Sequence, residues 1–111
     1  MGTDTIAAIA TAMTSSGIGI VRISGDEAVS ITDRIFEMKN QKKLEDMPTH
    51  TIHYGHIHDG DEVIDEVMVL LMREPKSYTR EDTVEIDCHG GVYVMKRILE
   101  TVIKYGARPA E

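Results

Sequence analysis

Tryptophan is absent from this chain, phenylalanine and cysteine each occur once, and proline occurs three times in 111 residues. Each scarcity removes a class of function. One cysteine, Cys88, excludes an intrachain disulfide framework, which places the chain in a reducing, cytoplasmic setting. Few aromatic side chains argue against a base-stacking platform for single-stranded nucleic acid. No stretch approaches the roughly 20 consecutive apolar residues of a membrane span, and the start lacks the charged and apolar segments of a signal peptide. Basic charge is also in deficit. Twelve Lys and Arg stand against 19 Asp and Glu, a net charge of −7, so extensive direct nucleic-acid binding is not expected. A glycine-rich phosphate loop closed by Lys and Ser or Thr is missing, so these residues alone hydrolyse no nucleotide and the fragment by itself is not read as an enzyme. Gly17, Gly19 and Gly25 lack the spacing of a dinucleotide fingerprint, and Ser24 lacks the setting of a nucleophile elbow.

What remains is enough apolar sequence, 41%, for one small domain over residues 1–111. Short β-branched runs predict strands over 5–9 and 17–23. Ser24-Gly25-Asp26-Glu27 has the spacing of a capping box and predicts a helix from there, with Ala28, Ile31, Thr32 and Ile35 on its inner stripe and an end near Phe36 or Met38. Residues 39–48 read as a loop. A hairpin follows, His50 to His58 and Val63 to Met72 around Asp59-Gly60-Asp61, and its apolar second strand reads as covered on both faces. Glu74-Pro75-Lys76-Ser77 breaks the chain. Thr83 to Cys88 alternates strictly, with Thr83, Glu85 and Asp87 on one face and Val84, Ile86 and Cys88 on the other. A last helix carries Val92, Met95, Leu99 and Val102 and ends at a Gly106 cap. The expected fold is α+β: strand, strand, helix, three strands, helix, with a mixed five-stranded sheet and two main helices.

Three groups of residues could carry chemistry. His50, His53, His56 and His58 lie close together, and the even-numbered three would share a strand face, which opens the reading of a small metal-binding domain. No cysteine or carboxylate stands among them at ligand spacing, so a solvated face is the simpler account and no metal site is assigned. Arg22 shares parity with Ile18 and Ile20. Its guanidinium leaves an apolar face and suits a planar acceptor, or it is an ordinary ion-paired arginine. Glu85 is either part of a solvated strand face or a carboxylate presented to a ligand.

The segments Asp4-Thr5-Ile6-Ala7-Ala8-Ile9-Ala10-Thr11, Gly17-Ile18-Gly19-Ile20-Val21-Arg22-Ile23-Ser24-Gly25, Ser77-Tyr78-Thr79-Arg80-Glu81-Asp82-Thr83-Val84-Glu85-Ile86 and Cys88-His89-Gly90-Gly91 resemble, in that order, the amino-terminal domain of the tRNA modification GTPases, the MnmE or TrmE family. Gly106-Ala107-Arg108 with Ala110-Glu111 resembles the family segment just before a proline-glycine-glutamate-phenylalanine stretch. Two departures stand out: Ala12 to Ser16 replaces a proline- and glycine-rich loop, and Arg80 stands where glycine is common.

The resemblance implies a cytoplasmic homodimer that holds a 5-formyl- or 5,10-methylene-tetrahydrofolate near its interface as a one-carbon donor. It implies that the chain is truncated before helical and GTPase domains, the latter binding GTP, magnesium and potassium. The whole protein would be a hydrolase that works with an FAD-dependent partner enzyme on carbon five of the wobble uridine of tRNA. Carried over by position, Arg22 would contact the folate and Glu85 would read its pterin end, whose ring N–H and amino group suit one carboxylate. His89 would contribute indirectly, and a further lysine contact would lie beyond Glu111. The alternatives are a dimerisation module without folate and the histidine-rich metal domain.

Overall fold

A computed structural model of the chain describes residues 5–10, 18–73, 81–89 and 91–110. The expected loop Ala12 to Ser16, the break Glu74 to Ser77, Arg80 and Gly90 fall outside them. The described elements are β1 (Ile6–Ile9), β2 (Gly19–Ser24), α1 (Ala28–Ile35), β3 (Phe36–Met38), a 3-10 turn (Leu44–Asp46), β4 (Thr51–Asp59), β5 (Glu62–Met72), β6 (Thr83–Cys88), α2 (Gly91–Lys104) and β7 (Arg108–Pro109). One sheet runs β3-β4-β5-β6-β2-β1-β7. All neighbours are antiparallel except β1 and β7, so the sheet is mixed and the class is α+β with two helices.

The sheet has seven strands rather than the expected five. Both additions are short. The first helix stops at Ile35, because Phe36 turns extended (φ −118, ψ 126) and pairs with Ile57, which buries Phe36 and Met38 and leaves Glu37 outside. Two or three residues are too few for alternation to register in sequence. β7 pairs with β1 over only two positions.

The start of α1 also differs from the capping box. Ser24 is the last residue of β2, paired with Ile6 and Thr83, and the N-cap position of the helix falls three residues later, at Glu27. The Glu27 amide instead donates to the Thr5 hydroxyl at 2.9 Å, a cap supplied from 22 residues away. The expected inner stripe is in place: Ala28, Ile31, Thr32 and Ile35 are buried, with Val29. In α2 the buried positions are Met95, Ile98, Thr101 and Val102, while Val92 and Leu99 pack at the rim of the core. Gly106 takes φ +134, and the Ala107 amide returns to the Val102 carbonyl at 3.2 Å, closing the helix.

Strand parity then divides the sheet. Val21, Ile23, Val67, Val69, Leu71, Val84, Ile86 and Cys88 are all fully buried beneath the helices. The alternate residues are not. Met68 is 43% exposed, next to fully buried Val67 and Val69, so β5 is central in the sheet but covered on one face, not two. Sequence misjudged it because Met68 and Leu70 are apolar on the open face.

Candidate functional site

Register assembles the open face from residues distant in sequence. Across it, one row reads Ala8, Arg22, Glu85, Leu70 and Ile52, and the next reads Ile20, Asp87, Met68 and Tyr54. Arg22 and Glu85 are thus direct cross-strand partners. The Arg22 Nε and Nη2 both donate to one carboxylate oxygen, Glu85 Oε2, at 3.0 and 2.6 Å. The Arg22 side chain is 51% exposed and that of Glu85 only 14%, so the carboxylate is the more enclosed member. Charge pairing of this kind offsets the cost of placing a carboxylate on a largely apolar surface.

Beside Arg22, toward β1, lies an open recess of about 240 Å³ lined by Ile6, Ala8, Ile9, Ala10, Arg22 and Ser24. The small side chains at 8, 10 and 24 make the space. On the other side, Ile52 (61% exposed), Tyr54 (52%) and Met68 form an apolar surface on the β4–β5 hairpin. Tyr54 hydrogen-bonds Glu66, and this raises its phenol pKa above the ordinary value.

Asp87 stands on the same face as Glu85, between Ile20 and Met68. Burial first, and then the charge of Glu85, push its pKa above the usual aspartate range, with a smaller opposing effect from His89. The alternation of β6 showed Asp87 on the polar face. Its enclosure was not readable, since that depends on which residues β2 and β5 set opposite it.

His89 lies just past the end of β6, and its backbone amide donates to Asp65 Oδ2 at 3.0 Å. The structure brings it near Asp87 electrostatically, not into the Arg22–Glu85 pair. The histidines do not assemble. His50 precedes β4 with φ +63, His53 bonds Thr51, His56 approaches Glu66 at 3.6 Å, and a bulge between Ile57 and His58 breaks the shared face. Among the described residues no three His, Cys, Asp or Glu side chains are placed to hold a metal ion. Cys88 is a buried free thiol on the core face. No described helix is long and apolar enough to cross a membrane.

Known proteins carry the same pattern. The family profile described as "GTP-binding protein TrmE N-terminus" matches residues 5–111. The chain is 60% identical over its full length to a tRNA modification GTPase MnmE of Lachnoclostridium phytofermentans. It is 56% identical over 97% of its length to that of Geobacillus thermodenitrificans, and 52% identical over its full length to that of Staphylococcus aureus. It spans 24% of the length of each of these relatives. With its motifs in family order and its profile match covering nearly every residue, the chain belongs to the MnmE/TrmE family, as an amino-terminal domain of it.

Proposed function

We propose that this domain holds a reduced folate, a 5-formyl- or 5,10-methylene-tetrahydrofolate, on its open sheet face and pairs there with a second copy. The observation that carries the reading is the enclosed carboxylate of Glu85, fixed by Arg22 and presented on the sheet face away from the described helices, beside a recess. Ring N–H and amino groups of a pterin are donors matched to such an acceptor. The Arg22 guanidinium spends its Nε and one Nη2 bond on Glu85, which leaves Nη1 for an acceptor on the ligand. His89 acts through its neighbours. At about 240 Å³ the recess is smaller than the roughly 300–1,000 Å³ of a complete small-molecule site, which suits a site finished by a twin subunit.

In the whole protein the folate would supply a one-carbon unit for modification of the wobble uridine of tRNA in the cytoplasm, together with an FAD-dependent partner enzyme. Binding of GTP, magnesium and potassium would belong to a GTPase domain outside these 111 residues. Calorimetric titration of the chain with 5-formyltetrahydrofolate should show saturable binding, with GTP as the silent control. No heat at any attainable folate concentration overturns the reading.

A second reading is favoured by the exposed Ile52, Tyr54 and Met68: the face serves pairing alone. Sedimentation velocity over a concentration series, run beside the folate titration, separates the two. A dimer that ignores folate establishes pairing alone, and a monomer well above micromolar concentration removes both forms of the dimer.

A further inference from the structure

The Arg22–Glu85 pair leaves a second carboxyl on its face unused. Asp87 lies two residues beyond Glu85 on β6, and strand rise sets the two about 7 Å apart along one face of the strand. Its cross-strand neighbours are Ile20 on β2 and Met68 on β5, and neither side chain offers a donor. Among the described residues Asp87 Oδ1 is shut off from solvent and has no hydrogen-bond partner. Acceptors left in that condition are uncommon in folded proteins, and they are costly.

The charged groups around it do not resolve the matter. Glu85 and His89 flank it in sequence, and Arg22 of β2 and Glu66 of β5 are the charged groups of the adjoining strands on that face. Arg22 gives both Nε and Nη2 to Glu85, and the His89 amide is taken by Asp65. Two carboxylates therefore line one strand face with a single guanidinium between them, bonded to only one.

We infer that Asp87 is a further specificity-determining residue of this face, its carboxylate turning out of its unpartnered position to accept a hydrogen bond from an N–H of the bound folate while Glu85 accepts another. The inference rests on the folate reading above. A flat bicyclic ring with amino and ring N–H groups presents more than one donor, and two acceptors along one strand select it over a ring that carries acceptors at those positions. The interaction has a pH signature. Burial and Glu85 hold the Asp87 pKa above the ordinary range in the free protein, and a donated N–H stabilises its ionised form. Where Asp87 is still protonated in the free protein, binding therefore releases its proton, and affinity falls as pH drops through the raised value of the free protein.

The test is titration of 5-formyltetrahydrofolate into the wild-type chain and Asp87→Asn from neutral pH down into the ordinary carboxylate range. The variant should bind roughly tenfold more weakly at neutral pH, the scale of losing a charged acceptor, and should lose the part of the pH dependence that belongs to Asp87. If the wild type binds and the variant matches it in affinity and pH profile, the inference falls and the folate reading stands. If the wild type binds at no pH, both fall. Should Asp87→Asn not fold, carboxyl-carbon NMR of the wild type replaces it: the Asp87 titration midpoint should move down when folate is added, and an unmoved midpoint overturns the inference.

Discussion

Replacing Glu85 with glutamine isolates what its charge contributes, because the amide keeps the shape and one acceptor oxygen while removing the ion pair. Two energies are at stake. In the free protein, Arg22 loses a partner, but its side chain is 51% exposed, so the pair ranks with solvent-screened ion pairs and is worth about 0.2–1 kcal/mol. The melting temperature should fall by no more than about 5 °C. In the complex, an enclosed carboxylate, 14% exposed, would lose charge-assisted bonds from the ligand, and one of the two glutamine positions now presents a donor to a donor. That costs about 1–3 kcal/mol, or roughly five- to 150-fold in Kd. Calorimetry with 5-formyltetrahydrofolate and thermal unfolding measured on one preparation compare the two directly. A variant that melts several degrees lower yet binds folate as tightly as the wild type would refute the assignment and leave Glu85 a purely structural residue.

Other substitutions test the architecture. Thr5→Val removes the hydroxyl that receives the Glu27 amide and should cost about 1 kcal/mol in urea unfolding, whereas Ser24→Ala should leave the start of α1 intact; the reverse ranking would restore the capping box. A methyl at Gly55 would stand 2.3 Å from the Glu37 carbonyl oxygen, which is backbone, while one at Gly19 meets the flexible Met95 sulfur at the same distance. Gly55→Ala should therefore destabilise by about 1–3 kcal/mol and by more than Gly19→Ala, and equal losses would contradict the close approach of β3 to β4. Asp59 has a lowered pKa, chiefly through its hydrogen bond from Lys104 at 3.0 Å, so its contribution is present above the ordinary carboxylate range and lost as pH falls through the lowered value. In Lys104→Met the folded-state pKa of Asp59 moves back toward its ordinary value, so less stability should be lost along the acid limb of a series of urea midpoints, and superimposable acid limbs would count against the pairing.

Legibility followed the range of the interaction. The hairpin was readable because Asp59-Gly60-Asp61 is a local turn and Gly60 takes φ +62. The two faces of β6 were readable from strict alternation, and the inner stripe of α1 from its period. What failed was set from a distance. The Thr5 hydroxyl displaces a local capping box from the neighbouring strand of the β1–β2 pair, 22 residues away in sequence, and Met68 looks like core until the sheet is seen to carry both helices on one side. At the candidate site, residue types and parity put Arg22 and Glu85 forward, but the register that makes them partners joins β2 to β6 across most of the chain. The enclosure of Asp87 depends on the same register and on β5, and no local signal carries it.

That long reach has a bearing on how the face comes into being. The β4–β5 hairpin closes through a two-residue turn, whereas Arg22 and Glu85 meet across 63 intervening steps of chain. Closing so large a loop costs entropy before any contact offsets it, which places this pairing among the slower events of folding. A partly folded molecule that already owns its hairpin and helices has no version of the pair, loose or otherwise. The face is all or none. Any ligand it takes binds only the completed fold, and so draws unfolded and half-folded chains toward it by mass action.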